Sequence, residues 1–294
     1  MKFSLALAMV PADHLIPLAR AAEESGWDAV TMPDSVFYPE EVSDKYPYTS
    51  DGRRFWHHDT PFVEPFVAIP AMAAVTERLV FYTNVYKTVL RNPLLLAKTV
   101  GSAAAMADGR VGIGLGLSWL QEEFDWTGQV KQTRGARLDE TVEILRRLLG
   151  GGYAEFHGEH YDFDRLSMAP WPSQPVPIYI GGHSDAALRR AARVGDGWIS
   201  VQMTPEDLDE VLRRLWPVLD EHGRDRATFE VKVTPLIAAE VDGMAALAER
   251  GVTDVMTVPW FSYGGDHKDL QVQLDSVRRF ADEVIQPLAA REGA

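Results

Sequence analysis

The 294-residue chain contains no cysteine, so disulfides, thiolate catalysis and cysteine-ligated zinc or iron–sulfur sites are excluded. Positive charge is scarce: 29 lysines and arginines stand against 43 aspartates and glutamates, a formal net charge of −14. Nucleic acids and anionic membranes demand a basic footprint, so neither is expected as a partner. Long apolar runs are missing too. The opening MKFSLALAMVPADH carries one short apolar stretch ending at Pro11, too short to span a bilayer and without a small-residue cleavage site. A soluble, cytoplasmic protein is expected. What is present is ordinary globular composition, 46% apolar and 24% charged, enough for a sizeable core.

Short apolar runs alternate with segments of helical periodicity along the whole chain. Phe3 to Val10 reads as a strand, Asp13 as the cap of a helix with Leu15, Leu18 and Ala22 on one face, and Gly26 as its stop. Further strands are expected at Asp28 to Met32, Leu79 to Val85, Arg110 to Leu117, Ile178 to Ile180, from Trp198, around Phe229 to Ala239, and Asp254 to Val258. Eight strand-then-helix units and no dividing linker predict a single (β/α)₈ TIM barrel over residues 1–294 rather than an open doubly wound sheet. Irregular excursions at 36–60, 118–133 and 153–177 interrupt it. The third contains a hairpin around His157-Gly158-Glu159-His160, which lacks the H-E-x-x-H spacing of a zinc protease.

Two glycine runs bear on ligand binding. In Ile178 to Trp198, IYIGGHSDAALRRAARVGDGW, a strand meets Gly181-Gly182 and a helix capped by Ser184. The glycines permit close backbone approach and the helix start offers free N–H groups to a phosphate, unless the glycines merely make a tight turn. In Gly112-Ile113-Gly114-Leu115-Gly116 the third glycine comes one residue early for a dinucleotide fingerprint, and the run reads as the strand itself. Such glycines leave room for a flat ligand over the strand end or relieve crowding inside a barrel.

Together GRVGIGLGLSWLQEEFDWTG (109–128), PIYIGGHSDAALRRAARVGDGW (177–198), LVFYTNVYKTVLRNPLLLAKTV (79–100) and AAEESGWDAVTMPDS (21–35) resemble the bacterial luciferase-like monooxygenase superfamily, and more closely its deazaflavin (F420)-dependent branch. The resemblance implies a barrel binding a flavin or F420 at its C-terminal face, in a homodimer. It implies that Gly181, Gly182 and Ser184 cradle the cofactor phosphate and that Asp34 and Ser35 face the ring system. Asn84 and Val85 match the place of a non-prolyl cis peptide or bulge behind the ring. Ser118, Trp119, Glu122 and Glu123 match the motif that lines the ring and substrate pocket.

Hydride transfer between the ring and a carbon substrate needs a nearby proton donor or acceptor, and His57, His58, Glu122 and His183 are the candidates. His57 and His58 with Asp59 do not read as a metal cluster, because adjacent residues of an extended segment point to opposite sides; no metal is expected. Trp27, Trp198 and Trp216 are expected as core or packing residues, whereas Trp56, Trp119, Trp126 and Trp260 would wall a pocket for a small apolar or aromatic substrate. The acidic tail of F420 calls for a basic rim, for which Arg53, Arg54, Lys87, Arg91, Lys131 and Arg134 are available. The expected activity is an F420-dependent oxidoreductase. The alternatives are an FMN-dependent monooxygenase using reduced flavin and oxygen, and a non-catalytic flavin-binding barrel.

Overall fold

The computed structural model describes residues 1–292, and in it the chain closes on itself as a parallel barrel wrapped by helices. The strands are β1 (Lys2–Ala6), β2 (Ala29–Met32), β3 (Val80–Thr83), β4 (Tyr86–Lys87), β5 (Ile113–Gly116), β6 (Tyr153–His157), β7 (Asp162–Ser167), β8 (Ile178–Gly181), β9 (Gly197–Met203), β10 (Glu230–Pro235) and β11 (Asp254–Thr257). Nine of them form one sheet in the order β3-β2-β1-β11-β10-β9-β8-β5-β4. Only Asn84 and Val85 separate β3 from β4, and both pieces meet the same neighbour: β4 pairs with β5, and Phe81 bridges to Val111 just before β5. They are one stave broken in two, so the nine pieces make the eight staves of a (β/α)₈ barrel.

Around the sheet lie α1 (Leu15–Glu24), α2 (Pro65–Ala73), α3 (Pro93–Met106), α4 (Gln121–Trp126), α5 (Arg134–Leu149), α6 (Asp185–Val194) and α7 (Pro205–Glu221), with further helices towards the C-terminus. Local chemistry sets their starts. Asn92 caps α3 with Pro93 in its first turn, and Thr204 forms a capping box with Asp207 at α7. Asp13 caps nothing: it sits inside a 3₁₀ turn (Ala12–His14), and α1 begins after His14 without a side-chain cap. The 118–133 excursion is not wholly irregular, because α4 lies within it. The hairpin at His157 to His160 is present as β6 and β7, antiparallel. Its tip is held by Glu140 of α5, whose carboxylate accepts the amides of Glu159 (2.9 Å), His160 and Tyr161 (3.0 Å). Among the described residues no helix is long and apolar enough to cross a membrane.

The core between sheet and helices is apolar, but the barrel interior is not. Lys232 on β10 lies 2.7 Å from both Asp254 Oδ2 and Glu230 Oε2, with its Nζ 4.4 Å from the ring centres of Tyr82 and Tyr179. Ser4 donates to the second oxygen of Asp254 (2.7 Å), and Tyr82 donates to Ser4 (2.7 Å). Burial, reinforced by the neighbouring Asp254 and Glu230 carboxylates, pushes both phenols well above their ordinary range, so they act as neutral donors. This polar cluster fills the barrel's lower half and leaves the C-terminal mouth open.

Candidate functional site

The break in the third stave shapes the mouth. The Asn84–Val85 peptide is cis, and Val85 turns inward among Ala29, Tyr82, Tyr179, Ile199 and Met256. Its side chain occupies the space that two glycines leave open. A Cβ on Gly116 would lie 2.5 Å from Val85 Cγ2, and one on Gly181 would lie 2.9 Å from Val85 Cγ1. A Cβ on Gly114 would sit 2.1 Å from the Thr83 carbonyl oxygen. The glycines of the Gly112 to Gly116 run therefore relieve crowding by the protein's own atoms, the Thr83 carbonyl at Gly114 and Val85 at Gly116, which decides between the two readings of that motif.

Side chains alternate along β4, and this sorts its two residues. Tyr86 points outward against Phe66 of α2, with ring centroids 5.0 Å apart, and donates to Glu64 Oε1 (2.6 Å). Lys87 therefore points inward, above Val85. Its Nζ pairs with Oε1 of Glu123, a fully buried carboxylate on α4 whose other oxygen accepts from Ser118 Oγ at 2.5 Å. Ser118 itself adopts φ +55°, which aims its hydroxyl back towards α4. Asp34, at the end of β2, does not present a free carboxylate to a ring: Arg91 grips it at 2.6 and 3.0 Å, and the Lys87 amide donates to it at 2.8 Å. Ser35 follows it at the same strand end, half-buried.

The glycine turn after β8 is built as the sequence indicates. Gly182 has φ +109°, a conformation side chains resist, and its carbonyl accepts from Trp198 Nε1 at 2.8 Å. Ser184 caps α6 by accepting from the Ala187 amide (3.3 Å), while the Asp185 and Ala186 amides donate to no protein acceptor among the described residues. Arg214 of α7 reaches this helix start, 3.0 Å from Asp185, with its Nε buried and without a hydrogen bond. Sequence reasoning missed Arg214, since nothing in a helical stretch of charges marks the one that folds back. The His183 ring lies between Trp198 and Tyr48, with centroids 5.7 and 6.0 Å away, and its Nε2 is buried without a partner. Burial first, and Arg214 second, hold its pKa below the ordinary range, so the neutral imidazole prevails.

The 36–60 excursion is a folded cover. Tyr46 makes edge contacts with Tyr48, Phe55, Trp56 and Trp119, at 5.1–5.9 Å between centroids. Two carboxylates tether it to α4: Glu122 Oε1 accepts the amide (2.7 Å) and hydroxyl (2.5 Å) of Ser43, and Asp44 accepts the Gln121 amide (2.8 Å) and Lys131 (2.6 Å).

Several expected roles change accordingly. Glu122 is an anchor for the cover rather than a free proton donor. Burial pushes its carboxyl up, but the Ser43 hydroxyl and the surrounding amides outweigh that and hold it below the usual range. His57 and His58 are exposed, and their rings form no hydrogen bond among the described residues. The basic rim is largely spoken for: Lys87 pairs with Glu123, Arg91 with Asp34 and Lys131 with Asp44, while Arg54 stacks on Tyr38 and bonds the Pro39 carbonyl. Trp56 and Trp119 are half-buried in the cover, but Trp126 is 65% exposed against Phe37, and Trp260 is 2% exposed in the core. Trp27 and Trp198 are buried and Trp216 half-buried, as expected. Among the described residues no group of three or more histidines, aspartates or glutamates is placed to hold a metal ion.

An apolar shelf at Val85, hydrogen-bonding groups around it and a helix start with open amides suit a flat heteroaromatic ring carrying a phosphate. Fold and site thus define a barrel whose C-terminal mouth carries a glycine turn and helix start after the fifth stave rather than after the seventh or eighth. The chain belongs to the luciferase-like monooxygenase family, which it matches over residues 4–287. An uncharacterized protein of Mycobacterium tuberculosis is 45% identical over 288 residues, 97% of this chain and 99% of that one. The F420-dependent glucose-6-phosphate dehydrogenase of Nakamurella multipartita is 28% identical over 95% of this chain and 78% of its own length. Two solved structures share the fold. The coenzyme F420-dependent tetrahydromethanopterin reductase of Methanopyrus kandleri has a TM-score of 0.75 at 14% identity, covering 98% of this chain and 99% of that one. The Type II Baeyer–Villiger monooxygenase of Pseudomonas putida in complex with FMN has a TM-score of 0.62 at 17% identity, covering 86% and 71%.

Proposed function

We propose that this chain is an F420-dependent oxidoreductase that moves a hydride between the coenzyme and a small apolar or aromatic organic substrate. The observation that carries the reading is the juxtaposition of the Val85 shelf with the Gly181–Gly182 turn: Gly181 lacks a side chain because Val85 fills its place, so shelf and turn share one mouth. The choice of F420 rests on the Nakamurella multipartita dehydrogenase, whose similarity spans almost the whole chain. When bound, the coenzyme supplies the carbon that gives or takes hydride. The protein supplies position and exclusion of water. The α6 amides and Arg214 hold phosphate, Val85 supports the ring, and the Tyr46 cluster closes over them with Trp56 and Trp119 facing an apolar substrate.

One observation favours FMN as the second reading: with Lys87, Arg91 and Lys131 paired internally, little free positive charge is left for an acidic tail. Quenching of tryptophan fluorescence by F420 and by FMN, each oxidised and reduced, at two salt concentrations decides between them. Salt-sensitive binding of F420 alone supports the proposal, and a preference for reduced FMN replaces it with oxygen-dependent monooxygenation. Binding of neither points to a non-catalytic barrel. Assembly as a homodimer is part of the same proposal. It is supported by α2 and α3, which are predominantly apolar and leave Val67, Leu95 and Met106 about 70% exposed. Light scattering on Val67→Glu/Leu95→Glu should show monomer where the parent chain shows dimer.

A further inference from the structure

The inward position of Lys87 has no structural necessity. A strand end at a barrel mouth accepts an apolar or small residue, and a lysine brought there must be held. The holding group is Glu123, fully buried, which Ser118 supports from the other side. An ammonium has three N–H donors, and Glu123 takes one. No other protein acceptor engages Lys87 Nζ among the described residues, and the side chain is 13% exposed, so the remaining donors face the mouth. Val85 lies immediately below, two positions earlier on the inward face. The pair thus presents the positive end of a buried dipole directly above the shelf, in a chain whose net charge is −14.

We propose that Lys87 is the charge-placing residue of this mouth. Oriented by Glu123, it hydrogen-bonds the oxygen that gains negative charge when hydride is transferred. This rests on the proposed coenzyme-dependent hydride transfer. Two oxygens have the required chemistry. Delivery of hydride to a neutral ring leaves an anion whose charge spreads onto a ring carbonyl, and delivery to a substrate carbonyl carbon moves the π pair onto its oxygen as an alkoxide. In either direction the electron pair and charge arrive together, and a positive group fixed beforehand stabilises the charged state more than the neutral one.

Removing Lys87 alone would strand a buried carboxylate, so the test uses Lys87→Met/Glu123→Gln, with Lys87→Arg as the conservative variant and a thermal melt on each. Dissociation constants for oxidised and reduced F420 and FMN are measured without substrate. Separately, benzoate serves as an anionic-oxygen probe of the coenzyme-free protein by tryptophan quenching. A loss of tenfold or more in the preference for the reduced coenzyme, about 30 mV in a two-electron couple, with little change for the oxidised form, assigns the ring oxygen to Lys87. An unchanged preference with benzoate affinity lost tenfold assigns the substrate oxygen. Lys87→Arg should retain most of whichever effect is seen. Folded variants that alter neither quantity overturn the proposal. If the parent chain binds benzoate through Lys87 but neither coenzyme, the coenzyme reading fails while the role of Lys87 stands.

Discussion

The molecule buries two lysines in one barrel, and their surroundings are opposite. Lys232, in the lower half, is enclosed by two carboxylates and two tyrosine faces, with Ser4 and Tyr82 saturating what Asp254 has left. Lys87, at the mouth, has one carboxylate and keeps donors open. A lysine whose partners are all internal holds the fold together, whereas one with capacity to spare is available to a ligand. The difference separates scaffold from site more sharply than burial does, since both side chains are largely hidden.

That contrast is broken or sharpened by substitutions taken from the closed floor to the open rim. Lys232→Met leaves Asp254, which is 0% exposed, without its cation, and should destabilise the fold by about 3–5 kcal/mol in urea unfolding. A loss below about 1 kcal/mol would mean that the floor is not held by this cluster. Gly116→Ala, at the boundary between floor and mouth, drives a methyl into Val85 and should cost about 1–3 kcal/mol, most of it recovered in Gly116→Ala/Val85→Ala. A cost that persists in the double variant would place the crowding elsewhere.

Higher still, Glu122→Gln should cost on the order of 1 kcal/mol and show as faster proteolysis within residues 36–60, with the rest of the barrel unaffected. The pH dependence has a definite sign. The folded pKa of Glu122 is depressed, so its contribution is fully present above the ordinary carboxylate range and is lost as pH falls through the folded value. Protection of the cover should therefore weaken only in acid, and its weakening near neutrality would contradict the anchor role. Outermost, His57→Ala/His58→Ala should leave turnover within about twofold and stability within about 0.5 kcal/mol, because both rings are exposed and unbonded. A large loss of turnover would return them to the reaction.

The barrel and its glycine turn before α6 were legible because their determinants are local. Ser184, Gly182 and the apolar stripe of α6 lie within a few residues of one another and act through backbone conformation. The hairpin tip was legible for the same reason. The mouth was less so, since its decisive contacts join distant positions: Ser43 to Glu122 across 79 residues, Lys131 to Asp44 across 87, and Lys87 to Glu123 across 36. A list of charges cannot say which are neutralised, and that is how Lys87, Arg91 and Lys131 came to be counted as a free rim. The floor cluster did leave a signal. Lys232 between Val231 and Val233, and Asp254 before Val255, put charge at alternate positions of strands that a barrel buries on both faces.

The valine that fills two missing side chains also sets a rule for how this chain can change. Positions 85, 116 and 181 share one volume, so they form a unit of inheritance: a larger residue at either glycine is admissible only with a smaller one at 85, whereas Gly114 is fixed by the Thr83 carbonyl. Among relatives these three positions should covary as a group. A library meant to widen the mouth for bulkier substrates should begin by trimming Val85, because that single change frees space beside the ends of β5 and β8 at once.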